Sequence, residues 1–194
     1  MEIKAKKFLL LLLFSPIEKK GEFNIKIPGI TRLMKMVFLF DKEVKNDFKK
    51  DSDIEYVELP EFIAWKYGPF SRDLLDNLEF LINNGFVESV NNSVEPFIAS
   101  EIEEYNKFEY WVDDTIYQTV KEYNEEVYSL TVKGIEKTKP VWDSLTENQK
   151  NILLHFKQIM VKGPLDRILS YVYKKYEKEG YTDKSLIREK YLKW

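Results

Sequence analysis

The sequence predicts an α+β fold that is mainly α. Three observations carry that class. Apolar residues recur at spacings of three and four over residues 30–44, 71–84 and 165–176, as in helices with one buried face. The helix at 71–84 meets a stop at Asn84-Gly85 and passes directly into an extended stretch from Phe86 to Val90. A second extended stretch, Glu126 to Gly134, returns after a long acidic segment.

Residues 3–14 suit a helix that ends in FLLLLLF (Phe8 to Phe14), apolar nearly all round and hence buried. Ser15 to Gly29 reads as a loop closed by Pro28-Gly29. Ile30 to Val44 is a second helix, with Leu33, Met36, Val37 and Phe40 facing inward. Lys49 to Pro60 is polar and then semi-extended. Gly68-Pro69 marks a turn, and Ser71 is placed to cap the third helix. Asp73 suits the positive end of that helix, and Leu74, Leu75, Leu78, Leu81 and Ile82 form its buried face. The alternation in FEYWVDD (Phe108 to Asp114) predicts a strand or hairpin arm. A short helix then runs near Lys133 to Trp142. The next opens at Thr146, which with Gln149 forms a capping box, and another has Pro164 at its first helical position. A last helix is expected from Thr182 to the end. Three helices followed by a two-stranded wing is the winged-helix arrangement. The expected division is therefore a winged-helix-like domain over residues 1–134, with an acidic wing insertion at about 91–125. A C-terminal helical extension, 135–194, packs on it.

Composition narrows the classes. Of the 194 residues, 44% are hydrophobic and 32% charged, as in a soluble globular protein with a real core. The absence of cysteine excludes disulfides, thiolate zinc sites and cysteine nucleophiles, and fits a reducing compartment. The run of seven apolar residues at 8–14 is too short for a hydrocarbon core that needs about 20. Ser15-Pro16-Ile17-Glu18 offers no small-residue cleavage site. A cytoplasmic protein without a membrane partner is expected.

Net charge is −3, but it is unevenly distributed. Residues 1–50 hold 12 Lys/Arg against 6 Asp/Glu, residues 51–130 hold 4 against 19, and residues 131–194 hold 14 against 8. On the third helix the stripe away from the leucines is Arg72, Asp76, Glu79 and Asn83. Two carboxylates facing phosphates repel them, so this helix is unsuited to a DNA groove. A solvated helix face is the plain reading of these acids. The sharper one is a surface for a basic protein partner. In the wing, Tyr110 and Trp111, with Tyr105 and Phe108, stand among the acids as anchors for such a partner or as core-facing strand residues. The alternative partner is duplex DNA, met by Lys4, Lys7, Arg167, Lys174, Lys175 and Lys178 on the basic terminal helices. In that reading a homodimer joined by the tyrosine-rich C-terminal helix would bury the acidic surface. YVYKKYEK (Tyr171 to Lys178) interleaves tyrosines with lysines, but its lysines are also the wet side of an amphipathic helix.

Little chemistry is encoded. His155 is the only histidine, too few for a zinc site of the usual kind, and no P-loop, GxGxxG or HExxH is present. The acids at 101–126 match no metal loop. No enzymatic activity, metal or cofactor is expected.

LMKMVFLFDKE (Leu33 to Glu43), FIAWKYGPFSRDLLDNLEFLINNGFVE (Phe62 to Glu88) and YSLTVKG (Tyr128 to Gly134) resemble the YwgA-like proteins of bacteria and archaea and the related Panacea antitoxin domain, and PLDRILSYVYKKY (Pro164 to Tyr176), followed by a short helix containing Ile187-Arg188, is similar to the end of YwgA-like proteins. These blocks cover about two thirds of the chain, and Tyr67-Gly68-Pro69-Phe70 before the leucine-rich helix is the most specific element. The resemblance implies a helical, winged-helix-like fold without catalytic residues, and a role as an antitoxin or regulator in defence that works by protein contact. The segment at 91–125 is longer than a plain wing and departs from the Panacea pattern.

Overall fold

The computed structural model describes residues 2–50, 54, 56–93 and 124–192. The mainly helical α+β class holds, with small sheets between the helices. Helix α1 (Ala5–Phe14) is preceded by a short strand β1 (Glu2–Ile3), and every residue from Phe8 to Phe14 is buried. It packs against three elements described below, so burial on all sides explains its lack of a polar face. No helix among the described residues is long and apolar enough to cross a membrane.

The expected loop before the second helix contains a strand, β2 (Ile27–Pro28). Helix α2 (Ile30–Leu39) then runs into a π-helical turn (Phe40–Val44) and a short α3 (Lys45–Lys49), so the single helix expected over 30–44 is in fact interrupted. Leu33, Met36, Val37 and Phe40 are all fully buried, as their spacing predicts. β3 (Tyr56–Val57) pairs in parallel with β1.

Gly68-Pro69 is part of a strand, not a turn. β4 (Ile63–Trp65) and β5 (Gly68–Phe70) form a tight antiparallel hairpin whose two linking residues are Lys66 and Tyr67. Gly68 follows that turn at φ 85°, a backbone value that costs a glycine nothing. Helix α4 (Arg72–Asn83) starts where the sequence places it, with the Ser71 hydroxyl accepting from the Leu74 N–H at 3.2 Å. It ends in a paired closure, Gly85 N–H to Ile82 C=O and Phe86 N–H to Leu81 C=O, with Gly85 left-handed at φ 69°.

β6 (Val87–Ser93) and β7 (Asn124–Leu130) are antiparallel partners in the register Val87↔Leu130 to Ser93↔Asn124. β2 joins the other edge of β7, which makes the order β2-β7-β6. Asn24 extends that edge with its side chain: its amide donates to the Leu130 C=O (2.9 Å) and its carbonyl accepts from the Leu130 N–H (2.7 Å). The returning strand ends at Leu130, sooner than the expected Gly134, because Thr131 caps a helix. Residues 94–123 lie outside the described residues, and with them the arm expected at 108–114, the wing acids from Glu101 to Asp114, and Tyr110 and Trp111.

Helices α5 (Val132–Asp143), α6 (Glu147–Lys162) and α7 (Leu165–Tyr176) follow. The Thr146–Gln149 capping box is present in both directions, at 3.2 and 2.9 Å. Pro164 stands one residue earlier than expected, in the capping position with ψ 135°. The helix expected from Thr182 is only a short α8 (Arg188–Leu192), after a turn at Gly180. Against α1 lie α4, α5 and β7, while α2 packs against α6 and α7. One hydrophobic cluster runs from Ile3 through Leu9, Phe38, Leu74 and Leu153 to Tyr191. Each fully buried Leu or Phe in it contributes roughly 1.5–3 kcal/mol.

Candidate functional site

The outer face of α4 forms as its spacing predicts. Leu74, Leu78 and Leu81 are buried, while Arg72, Asp76, Glu79 and Asn83 are exposed along one line. The acidity of the face is partly offset from within. Arg72 Nε pairs with Asp76 Oδ1 at 3.0 Å, and both side chains remain more than half exposed, so the pair adds little stability. Glu79 forms no ion pair among the described residues. Phe80, missed by the sequence reading, is 46% exposed on the same helix. Lys6 of α1 places its ammonium 4.3 Å from the Phe80 ring centroid. At the end of the helix, Lys133 donates to the Asn84 C=O at 2.8 Å and covers the Phe86 ring, which suits a cation at a helix C-terminus.

The residues proposed for DNA divide between two elements. Lys4 and Lys7 belong to the start of α1, where the Lys7 ammonium donates to the Glu2 C=O at 2.9 Å. Arg167, Lys174 and Lys175 lie on α7, with Lys178 just past its end. Lys175 pairs with a carboxylate, Glu43 of the π-helical turn, while its side chain stays exposed. Glu43 Oε1 accepts from Tyr176 (2.7 Å) and Lys175 (3.0 Å), and its Oε2 accepts from Tyr171 (3.0 Å). Partial burial raises the Glu43 pKa, but the hydrogen bonds from Tyr176, Lys175 and Tyr171 outweigh it and leave it lowered. The Lys175 ammonium is held above its usual range by Tyr171, then by Glu43. Beside this cluster is an open depression of about 600 Å³ lined by Arg167, Ser170, Tyr171, Lys174 and Lys175.

Three further cations are buried, each against backbone carbonyls. Lys35 donates to the Tyr67 and Pro69 carbonyls at 3.1 and 2.8 Å, pinning the β4–β5 hairpin to α2. Lys157 donates to the Leu13 and Ser15 carbonyls at 2.7 and 2.8 Å and so closes the C-terminus of α1. Arg32 closes α6 in the same way, through the Met160 and Gly163 carbonyls. Burial lowers both lysine pKa values to about 7. The sequence carried a signal for these: Lys35 interrupts the apolar run LMKMVFLF, and Lys157 falls on the apolar line between Leu153 and Met160.

His155 is exposed on α6, and no group of three or more His, Cys, Asp or Glu gathers among the described residues. Comparison of the chain with protein-family models, curated proteins and solved structures finds no match.

Proposed function

We propose that this chain is a non-enzymatic, winged-helix-like interaction protein that binds a basic protein partner through the outer face of α4. The observation that carries the reading is Phe80, a half-exposed aromatic ring on the same helix as the exposed Asp76, Glu79 and Asn83, which already holds one cation, the Lys6 ammonium, against its ring. An aromatic anchor inside a charged rim is the usual composition of a protein contact, and carboxylates at the rim select a cationic partner. The winged-helix part rests on the order α1, β2, α2, α4, β6, β7 with β7 between β2 and β6. The residues that resemble the YwgA-like and Panacea proteins support an antitoxin-like or regulatory role in defence, in the cytoplasm.

Panning the full chain against a random peptide display library tests this. Enriched peptides should be rich in Lys and Arg around an apolar residue. They should bind Phe80→Ala and the Asp76→Lys/Glu79→Lys double variant at least tenfold more weakly. Equal binding to the double variant would remove the charge argument.

A further inference from the structure

We propose that the outward face of α7 is a second binding surface, independent of α4, for the phosphate backbone of a nucleic acid. The depression there is lined by three cations, a serine and a tyrosine hydroxyl, and no carboxylate. The carboxylates around it already have partners: Glu43 with Lys175, Tyr171 and Tyr176, Asp166 with Lys190 and the Tyr191 hydroxyl, Glu177 with Arg188, and Glu179 with Lys42. Arg167, Lys174 and Lys178 are exposed and form no ion pair among the described residues.

Their spacing selects the ligand. Arg167 and Lys174 are seven residues apart, about 10 Å along the helix axis. That is too far to hold one phosphate together. It corresponds to about three nucleotides of one strand at 3.4 Å of axis each. Tyr171 is 44% exposed, its hydroxyl held by Lys175 and Glu43 and the Lys175 ammonium 5.0 Å from its ring centroid, and the exposed part of that ring is a surface on which a nucleobase can stack. The π-helical turn is the positioning device. It delivers Glu43 to Lys175, Tyr171 and Tyr176, so the one carboxylate that reaches the lining of the depression is already engaged by three donors.

The test is fluorescence anisotropy of the full chain with a labelled 20-nucleotide strand and a labelled 20-base-pair duplex, both of random sequence, at 50 and 200 mM salt. Micromolar binding of either probe at 50 mM is expected, with a fall of tens of fold at 200 mM for about three duplex contacts. Arg167→Ala/Lys174→Ala should keep the unfolding temperature and weaken binding at least tenfold. It should also flatten the duplex salt slope by about 1.8. Lys19→Ala/Lys20→Ala removes the same charge from the exposed loop after α1 and should leave affinity unchanged. No binding at 50 mM, or equal loss in the loop variant, would overturn the proposal. So would competition by polyglutamate as effective per charge as unlabelled DNA, since the face would then recognise any polyanion.

Discussion

Gly134→Ala separates helix propensity from packing, because the two predict opposite signs. Gly134 lies in the first turn of α5, where alanine is favoured over glycine by about 1 kcal/mol in a helix interior. On propensity alone the substitution stabilises. The structure says otherwise. A methyl group at Gly134 would stand 2.0 Å from the Phe86 carbonyl oxygen, 3.0 Å from its carbon and 3.2 Å from Leu130 Cβ. The nearest obstacle is backbone, so no side chain can rotate away, and α5 must withdraw from the α4–β6 junction by about an ångström. That junction is braced from both sides. Thr131 Oγ1 donates to the Gly85 C=O at 2.6 Å, the Thr131 N–H donates to the Phe86 C=O at 3.1 Å, and Lys133 reaches the Asn84 C=O. Overpacking costs about 1–3 kcal/mol where side chains can adjust, and a backbone clash belongs at the upper end. Net destabilisation is about 2 kcal/mol, or about 4–8 °C for a chain of this size. Urea titration followed by tryptophan fluorescence and far-UV circular dichroism measures it. An unchanged or raised midpoint would refute the reasoning and place α5 farther from Phe86.

Two other outcomes follow from buried polar groups. Lys35 and Lys157 have folded pKa values near 7 against an ordinary 10.5, so between those limits the unfolded chain binds protons that the folded chain does not. Stability should therefore rise with pH from about 7 to 10, by at most about 1.4 kcal/mol per pH unit for each group. Above pH 10 it should fall, because burial raises the pKa of Tyr173 and Tyr176 and the unfolded tyrosines ionise first. Urea midpoints at pH 7, 8.5, 9.5 and 11 trace the curve, and Lys35→Met should halve its rising limb. A flat profile from 7 to 9.5 would mean that the carbonyl acceptors keep both ammonium groups charged. Ser71 is 1% exposed and caps α4, so Ser71→Ala should cost about 1 kcal/mol in the same assay and Ser71→Asp much less. Equal losses would assign the residue to packing and not to the cap.

The parts of the fold legible in the sequence are those settled within a few residues. The Ser71 cap, the Gly85 closure and the Thr146–Gln149 box satisfy backbone groups locally, and each forms where the residues place it. The inward stripe of α2 is likewise legible, since Leu33, Met36, Val37 and Phe40 have helical spacing. What was not legible depends on remote partners. Ile27–Pro28 becomes a strand only because Tyr128 and Val127 lie beside it about a hundred residues later. Gly68-Pro69 has turn composition, but it pairs with Ala64 and Trp65 and its carbonyl side is held by Lys35. The π-helical turn has no local mark, and its effect is seen only where Glu43 meets α7.

Charge shows the same limit at the level of the site. A basic–acidic–basic chain suggests separate patches, but many of the cations in the basic blocks are already engaged within the fold. Lys6 from the first block lies over Phe80 of the acidic helix, Lys42 crosses to Glu179, and Lys162 returns to Glu18 at 2.8 Å. Arg32, Lys35 and Lys157 leave the surface altogether for backbone carbonyls. A count of lysines per segment therefore overstates any basic surface, and the useful quantity is which cations remain unpaired on one face. On α7 that subtraction leaves Arg167, Lys174 and Lys178 but removes Lys175, although Lys174 and Lys175 are neighbours in sequence. The partner separates them, not the face: both line the same depression, but Lys175 is paired with Glu43 and Tyr171, while Lys174 has no ion pair among the described residues. On α4 the same subtraction leaves Asp73 and Glu79 exposed without an ion pair among the described residues, since Asp76 is paired with Arg72. The two surfaces that survive have opposite sign and lie on different helices, so a charge reversal on one should leave binding at the other intact.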